Sequence, residues 1–212
     1  MKKCLLTAYD NNIANCTGLS EIINNKKEYS NKYGWDFIYK TDESFDKSRP
    51  AAFSKIKFIT ECMDKYDMVF WNDMDCMFTN FTIDISNAFK NDEYIGVLEE
   101  NADRNIFCTG NILIKSNEYT KDFFSSLKDL RSWHENTHPW EQRTLNEKLH
   151  LTNYMHLKKF KVNEFGAFRS QFILRRWQQG DFILHISGGP QQTPWQQRID
   201  TFIKNYKKQI IY

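Results

Sequence analysis

The sequence predicts an α/β fold in which a mixed, mostly parallel central sheet is flanked by helices. Three observations indicate this class. The first third of the chain reads as strand, helix, strand, helix, strand, an order typical of doubly wound sheets. The third of these strands is wholly apolar, as expected for a central strand buried on both faces. No internal repeat, low-complexity tract or linker divides the 212 residues, so we expect a single domain over 1–212.

The elements of the first half follow from apolar periodicity and from turn residues. Thr17 is a candidate N-cap for the first long helix, and Gly34 ends it. In the second helix Phe53, Ile56 and Met63 share one apolar side. The predicted strands are 4–9, 36–41 and 68–71, and the predicted helices are 18–33 and 53–66.

The second half is more mixed. Pro194 suits the first turn of the last helix, because its missing N–H needs no partner there. We expect strands at 94–99, 110–115 and 181–187, one or two strands within 155–168, and helices at 118–133, 141–149 and 194–206.

Composition excludes several classes of protein. Hydrophobic residues make up 41% of the chain and charged residues 26%, which excludes a disordered or fibrous chain. The net charge of +2 does not favour a dedicated nucleic-acid or membrane binder. No apolar run approaches the roughly 20 residues of a membrane helix. The five cysteines lack a C-x-x-C spacing, so we expect free thiols and a soluble cytoplasmic protein.

Two aspartates follow the apolar third strand with one residue between them, as a D-x-D motif. If this stretch is extended, Asp73 and Asp75 project on the same side. Two like charges beside a core are costly unless a cation neutralises them, and Mg²⁺ or Mn²⁺ does so well. The alternative is a turn in which the two aspartates cap the next element.

A histidine interrupts the last apolar strand. His185 is followed by Gly188 and Gly189, which permit the close backbone approach that a phosphate-binding loop needs. We hypothesise that His185 supplies a nitrogen ligand to the ion of Asp73 and Asp75, which shifts the preference from Mg²⁺ towards Mn²⁺. The alternative is a satisfied histidine of the core or its rim.

Four segments together resemble a known family. Its aromatic-x-Lys-Ile pattern is similar to residues 53–57, and its Tyr-Asp-(apolar)-Trp-x-Asp-x-Asp pattern is similar to residues 66–75. Its Gly-x-(apolar)-Ile-(Arg/Lys)-x-Ser strand is similar to residues 109–118, and its Gly-Asp-Phe-(apolar)-(apolar)-His-x-x-Gly pattern is similar to residues 180–188. The four segments occur in the family's order. The chain thus resembles metal-dependent glycosyltransferases of the GT-A fold. More narrowly, it is similar to the superfamily of yeast α-1,2-galactosyl- and α-1,6-mannosyltransferases and plant xyloglucan xylosyltransferases.

This resemblance implies a Rossmann-like GT-A domain, with residues 1–80 as the nucleotide-binding half and 81–212 as the sugar and acceptor half. It implies a nucleotide-diphosphate sugar donor, expected to be a UDP-sugar, a divalent cation, usually Mn²⁺, and transfer with retention of configuration. By match, Asp73 touches the donor ribose or the metal, and Asp75 and His185 bind the metal. The chain departs from the family in having Glu141 before Gln142, where Asp-Gln is usual. Eukaryotic members of the family carry an N-terminal membrane anchor and stem, and we expect neither here.

The chemistry of sugar transfer indicates further candidate residues for catalysis and donor binding. Glu141 and Gln142 are the candidate catalytic residues, expected to stabilise an oxocarbenium-like state, or to supply a base if configuration inverts. Glu141 at a helix N-terminus also has a purely structural explanation. Lys55 could equally lie on an exposed helix face, and Tyr9 could be a packing residue. The expected donor-binding residues are Thr7, Tyr9, Lys55, Asp73, Gly110, Asn111 and Gly188.

Other functions stay open at this point. A metal-dependent phosphohydrolase or nucleotidyltransferase could use the same aspartates, although it would need further carboxylates. A sugar-binding module could use the aromatic loop at 133–140. For a transferase, the expected acceptor is a glycan or another hydroxyl compound. A hydroxymethylated base in viral DNA is the alternative acceptor, served by basic patches and by base extrusion.

Overall fold

The computed structural model describes residues 1–129, 139–168, 177–187 and 193–212. The predicted end of the helix at 118–133, most of the aromatic loop at 133–140, and Gly188 lie outside these residues. The strands are β1 (Lys3–Ala8), β2 (Asp36–Lys40), β3 (Met68–Asn72), β4 (Cys76–Phe78), β5 (Ile95–Asn101), β6 (Ile106–Lys115), β7 (Leu157–Phe160), β8 (Ala167–Phe168) and β9 (Ile183–His185). The α-helices are α1 (Asn11–Ala14), α2 (Leu19–Tyr33), α3 (Ser54–Met63), α4 (Glu118–Asp129), α5 (Trp140–Leu151), α6 (Val162–Phe165) and α7 (Trp195–Thr201).

The main sheet has six strands in the order β2-β1-β3-β6-β5-β7. β1 pairs in parallel with β2 and β3, and β5 pairs in parallel with β7, whereas β6 runs antiparallel to both of its neighbours. The predicted mixed, mostly parallel sheet is confirmed. Because β6 is antiparallel, residues 111–115 pair with β3, with Asn111 opposite Asn72 at its end, and the first half of β6 runs past that end. Residues before Asn111 therefore border the acidic segment that follows β3.

A second sheet, in the order β4-β9-β8, carries the late histidine to that segment. β4 and β9 are antiparallel, and Cys76 is paired with His185. The sequence patterns did not predict β4, whose three residues are too few for a periodicity to show. Its pairing is what brings His185 next to Asp75.

Helices cover both faces of the main sheet. Alternate residues of β3 point to opposite faces, so Val69 packs in a core cluster with α3 and α4, and Phe70 packs in a second cluster with Tyr29 of α2. Val69 and Phe70 are fully buried. The central strand is therefore buried on both faces, as its sequence predicted.

Several predicted boundaries are corrected by the structure. The Thr17 cap was wrong: α2 begins after Gly18 and has no side-chain cap. A 3₁₀ turn at Ala51–Phe53 leads into α3, which ends at Met63. Between β7 and β8 the chain forms the short helix α6, and α7 is followed by a π-helical turn at Phe202–Tyr206. The remaining 3₁₀ turns are Asp42–Ser44, Ile85–Asn87 and Lys207–Gln209.

The structure also shows the state of the cysteines and the character of the helices. All five cysteines are free thiols, as predicted. Among the helices of the described residues, none is both long enough and apolar enough to cross a membrane.

The end of α2 gives a test of the fold. Gly34 adopts a left-handed conformation, with φ of +66°, and a Cβ there would meet no neighbouring atom within 4 Å. Replacing Gly34 with Ala should lower the free energy of unfolding by about 1 kcal/mol, because only the backbone conformation is penalised. Urea unfolding measures this change. Gly34→Asn should lose less, since asparagine tolerates the left-handed region; an equal loss would contradict this explanation.

Candidate active site

The acidic segment after β3 is a turn. The backbone N–H of Cys76 donates to the carbonyl of Asp73 at 2.9 Å, which closes residues 73–76 before β4 begins. The backbone N–H of Asp73 donates to the carbonyl of Gly110 on β6 at 2.8 Å. The extended geometry considered from sequence is therefore wrong, and Asp73 and Asp75 contact different side chains.

Asp73 faces a tryptophan and a lysine. The indole Nε1–H of Trp71 donates to Asp73 Oδ1 at 2.6 Å, and Lys55 Nζ lies 3.1 Å from the same oxygen. Removal from solvent raises the pKa of the Asp73 carboxyl, and Lys55 lowers it by less. The carboxylate is thus fixed by one neutral and one charged donor.

Lys55 lies in the site and not on an exposed helix face, so that alternative is excluded. Its Nζ is 2.7 Å from Glu141 Oε1 and donates to the carbonyl of Thr109 at 2.9 Å. The side chains of Lys55 and Glu141 are only 6% and 8% exposed. Burial lowers the pKa of Lys55, but Asp73 and Glu141 outweigh it, so the net shift is upward and the amine stays charged. Glu141 also accepts a hydrogen bond from the Thr109 hydroxyl at 3.0 Å.

The other residues expected to hold the sugar differ in accessibility. Gln142 is partly exposed, and its Oε1 accepts from the Thr109 N–H at 3.2 Å. Asn111 is 1% exposed, and its amide bonds Asn72 at 2.6 Å and the carbonyl of Phe165 at 2.9 Å. The structure thus leaves Gln142 open to a ligand and uses the Asn111 side chain inside the fold. The catalytic roles of Glu141 and Gln142 stay predictions.

Asp75 meets the late histidine and a cation from the last α-helix. His185 Nε2 lies 3.4 Å from Asp75 Oδ1, and an N–H of Arg198 donates to Asp75 Oδ2 at 2.9 Å. Burial raises the pKa of the Asp75 carboxyl, but His185 and Arg198 outweigh it and the net shift is downward. Burial lowers the pKa of His185, whereas Cys76 and Asp75 raise it by more, to well above its ordinary value. His185 is thus a buried histidine with an acidic partner, and its role as a metal ligand stays a prediction.

Gly110 allows the histidine to sit this close. A Cβ on Gly110 would lie 2.7 Å from His185 Cε1 and 3.4 Å from the Cys76 sulfur. The Cys108 sulfur is 3.8 Å from His185 Nδ1. Gly110 is therefore required by packing around the imidazole, and this role differs from the donor contact expected of it.

These side chains suit a divalent cation. Asp75, Cys76 and His185 each offer a ligand atom, all within 4.8 Å of one another. Carboxylate oxygen and imidazole nitrogen together suit Mn²⁺ better than Mg²⁺. Asp73 is not part of this group and faces Lys55 instead. The residues present thus fit an ion at Asp75 and His185, and a role for Asp73 as ligand stays a prediction.

The ends of β1 and β2 hold the residues expected to bind the nucleotide. Tyr9 stacks on Tyr39 with ring centroids 5.9 Å apart and planes at 17°. Tyr39 is 46% exposed, so one ring of the pair is accessible. The Thr7 side chain is fully buried, and its hydroxyl finds no partner among the described residues. Tyr9 is thus placed for ring stacking, whereas the Thr7 side chain is enclosed.

Three residues of the site were not predicted from the sequence: Lys26, Trp71 and Arg198. Lys26 occupies the apolar side of α2, four residues after Ile22 and three before Tyr29, a spacing that could have singled it out. Arg198 lies one turn after Trp195, and its guanidinium is 4.2 Å from that ring. No pattern in the sequence relates Arg198 to Asp75.

Comparisons with known proteins agree with the fold. Residues 5–105 match the model of the galactosyl transferase GMA12/MNN10 family, which confirms the family resemblance over that part of the chain. No curated protein sequence matches.

Solved structures match over almost the whole chain at low identity. A glycosyltransferase involved in glycosylation of the major capsid of PBCV-1 is 14% identical with a TM-score of 0.66, over 94% of this chain and 99% of that one. The galactosyltransferase LgtC, solved with donor and acceptor sugar analogues, is 11% identical with a TM-score of 0.55, over 96% of each chain. Drosophila β-1,4-galactosyltransferase 7, as a mutant complexed with manganese, UDP-Gal and xylobiose, is 12% identical with a TM-score of 0.50, over 88% of this chain and 71% of that one. The predicted GT-A fold is confirmed, and nothing among these matches supports a DNA acceptor.

The buried network at Lys55 gives a test of the site's electrostatics. Lys55→Met leaves Asp73 and Glu141 without their shared cation, and should lower the free energy of unfolding by about 3–5 kcal/mol. Adding Glu141→Gln removes one of the two uncompensated charges and should restore at least about 1 kcal/mol. Urea unfolding of the single and double variants measures both effects. Strictly additive losses would contradict direct coupling of Lys55 to Glu141.

Proposed function

We propose that this chain, a glycosyltransferase of the GT-A fold, transfers a sugar from a UDP-sugar to a hydroxyl acceptor with the aid of a divalent cation, with Mn²⁺ preferred. The observation that carries this proposal is the contact of His185 Nε2 with Asp75 Oδ1 at 3.4 Å. An imidazole and a carboxylate from distant parts of the chain meet there, beside the end of the central strand. Open α/β sheets bind their ligands at this edge.

Asp75 and His185 would hold the ion, with Asp73 near the donor ribose or the ion. A bound cation would stabilise the negative charge that develops on the departing nucleoside diphosphate. The Drosophila relative was solved with manganese and UDP-Gal together, which supports the pairing of this ion with this class of donor.

The protein's own cations complete the donor site. Arg198 bonds Asp75 and lies over the Trp195 ring, so its guanidinium is next to the proposed ion site. We propose that Arg198 donates to a diphosphate oxygen when the donor is bound, because guanidinium suits phosphate geometry. Lys55, held by Asp73 and Glu141, fixes the position of Asp73. Tyr9, stacked on Tyr39, would support the uracil ring.

We propose transfer with retention. Inversion needs a carboxylate that is free to take the acceptor proton. Glu141 is buried and already accepts hydrogen bonds from Lys55 and Thr109, so it is held by partners inside the fold. Retention instead lets the C1–O bond to the diphosphate break while the acceptor oxygen bonds C1 on the same face and its proton moves to the departing phosphate oxygen. Gln142, partly exposed, would line this face.

The structural neighbours bear on the acceptor class, and the cysteines bear on the compartment. The neighbours' structures contain an acceptor sugar analogue and xylobiose, so we propose a glycan hydroxyl as acceptor. Five free cysteines, four of them buried, support action in the reducing cytoplasm.

Donor hydrolysis tests the proposed function. The purified protein is incubated with a panel of UDP-sugars and Mn²⁺, and free UDP is measured, with EDTA as the metal-free arm. We expect UDP release with at least one donor, its loss in EDTA, and its return on adding Mn²⁺. Asp75→Asn and His185→Ala should each lower the rate at least about 100-fold.

Matched control variants distinguish loss of the proposed site from a general loss of folding. Asp64→Asn and His150→Ala replace the same residue types at exposed positions, and both should keep the wild-type rate. Proton NMR of a product glycoside gives its anomeric configuration. If no nucleotide sugar yields UDP with any divalent ion, or if EDTA has no effect, the proposed function is wrong.

The variant Arg198→Gln should strengthen ion binding and weaken donor binding. Because Arg198 contacts the carboxylate that the ion would take, Arg198→Gln removes a competitor and should tighten Mn²⁺ binding several-fold. The same change removes a charged donor to the diphosphate and should raise the KM for the UDP-sugar about 10-fold. Mn²⁺ titration and steady-state kinetics measure the two effects. Weaker Mn²⁺ binding together with an unchanged KM would contradict both roles.

A further inference from the structure

Lys26 on α2 is a fully buried lysine that no step of the proposed reaction uses. Its side chain is 0% exposed and lies between Ile22 and Tyr29 on the packed side of the helix. Burying an ammonium group is costly unless hydrogen-bond acceptors replace its water. The position therefore needs a specific set of partners.

Those partners all belong to the turn that carries the two aspartates. Lys26 Nζ donates to the Asn72 side-chain oxygen, to the Asp73 carbonyl at 2.9 Å and to the Cys76 carbonyl at 2.5 Å. An ammonium group has three donors, and all three are used. The acceptors lie at the start and the end of the turn, so one side chain fixes its full length.

The chemistry of these acceptors separates Lys26 from the other cations of the site. Lys55 and Arg198 each bind a carboxylate besides a backbone carbonyl, whereas the three acceptors of Lys26 are all carbonyl and amide oxygens. A carboxylate contact balances charge, but a carbonyl contact sets the path of the backbone. Burial lowers the pKa of Lys26 to about 8, and Cys76 and the two aspartates hold it from falling further.

The preceding residue makes a second contact with the same stretch of chain. Asn25 Nδ2 donates to the Phe78 carbonyl at 2.8 Å, and its Oδ1 accepts from the Phe78 N–H at 2.8 Å. This pair fixes β4 beyond the turn. Asn25 and Lys26 are neighbouring buried residues of α2. Asn25 binds β4, which follows the turn, whereas Lys26 binds the turn itself, so Asn25 is a suitable control for Lys26.

We propose that Lys26 is a positioning residue for the cation site: it holds the 72–76 turn in the shape that presents Asp75 to His185. This proposal rests on the metal dependence proposed above. Asp75 precedes Cys76, whose carbonyl Lys26 binds, so a turn released from Lys26 moves the Asp75 carboxylate relative to the imidazole. Groups that orient metal ligands typically contribute 10- to 100-fold to affinity.

The test is Mn²⁺ binding by the apo protein. Lys26→Met removes the three hydrogen bonds and keeps most of the side-chain volume. We expect Mn²⁺ affinity to fall about 10- to 100-fold, measured by the EPR signal of free Mn²⁺. Water-proton relaxivity of the bound ion should rise, because a misplaced carboxylate is replaced by water. A merely structural role would change neither the affinity nor the relaxivity of the folded protein.

Asn25→Leu is the matched control. It removes two equally buried hydrogen bonds from the same helix, so it should lower the free energy of unfolding while leaving Mn²⁺ affinity within about twofold. An equal loss of affinity in both variants would show general loosening of α2 and would overturn the proposal. Unchanged or tighter binding by Lys26→Met would also overturn it, since Lys26 would then act only as a counter-charge.

Two further outcomes are a Lys26→Met chain that does not fold and a wild-type protein that binds no Mn²⁺. If the Lys26→Met chain does not fold, Asn72→Ala is measured in its place, because it removes one acceptor and keeps the charge. A several-fold loss of Mn²⁺ affinity is then expected, and an unchanged affinity overturns the proposal. If the wild-type protein itself binds no Mn²⁺, the proposed metal dependence fails; if the wild type binds and the variants match it, only the role of Lys26 fails.

Discussion

Negative charge buried at the end of the central strand is the constraint on which this structure depends. Asp73, Asp75 and Glu141 are drawn together where β3 leaves the sheet. Carboxylates in such a place are tolerated only when each is paired and hydrogen-bonded. The fold meets this requirement with Lys55, His185 and Arg198, while a fourth cation, Lys26, binds the carbonyl and amide oxygens of the same turn.

Chain topology explains how these side chains meet. They come from α2, α3, β9 and α7, which are spread over most of the sequence. Antiparallel β6 places Thr109 and Gly110 beside the turn, and antiparallel pairing of β4 with β9 sets His185 opposite Cys76. A purely parallel doubly wound sheet would provide neither neighbour. These two antiparallel pairings, β3 with β6 and β4 with β9, therefore build the site on an otherwise Rossmann-like frame.

The sequence was informative wherever a polar residue interrupts an apolar strand. Asp73, Asp75 and His185 were found in this way, and the alternation of elements predicted the sheet. Lys26 and Arg198 were not found, because a charged residue on a helix usually lies on a solvated face and only tertiary packing reverses that expectation. The sequence offered the turn at 73–76 only as the alternative to an extended segment, because Lys26 and Gly110, which contact the turn, are distant from it in sequence.

The partners of each cation indicate which contacts persist when a divalent ion binds. Arg198 and His185 contact the oxygens of Asp75, so an ion at Asp75 must share or replace those contacts. Lys26 contacts carbonyl and amide oxygens instead, which an ion at the carboxylates does not need. Lys26 thus holds the backbone of the turn without contacting a carboxylate. Because the geometric contacts are independent of the ion, the turn can hold one shape while the charge around its carboxylates changes.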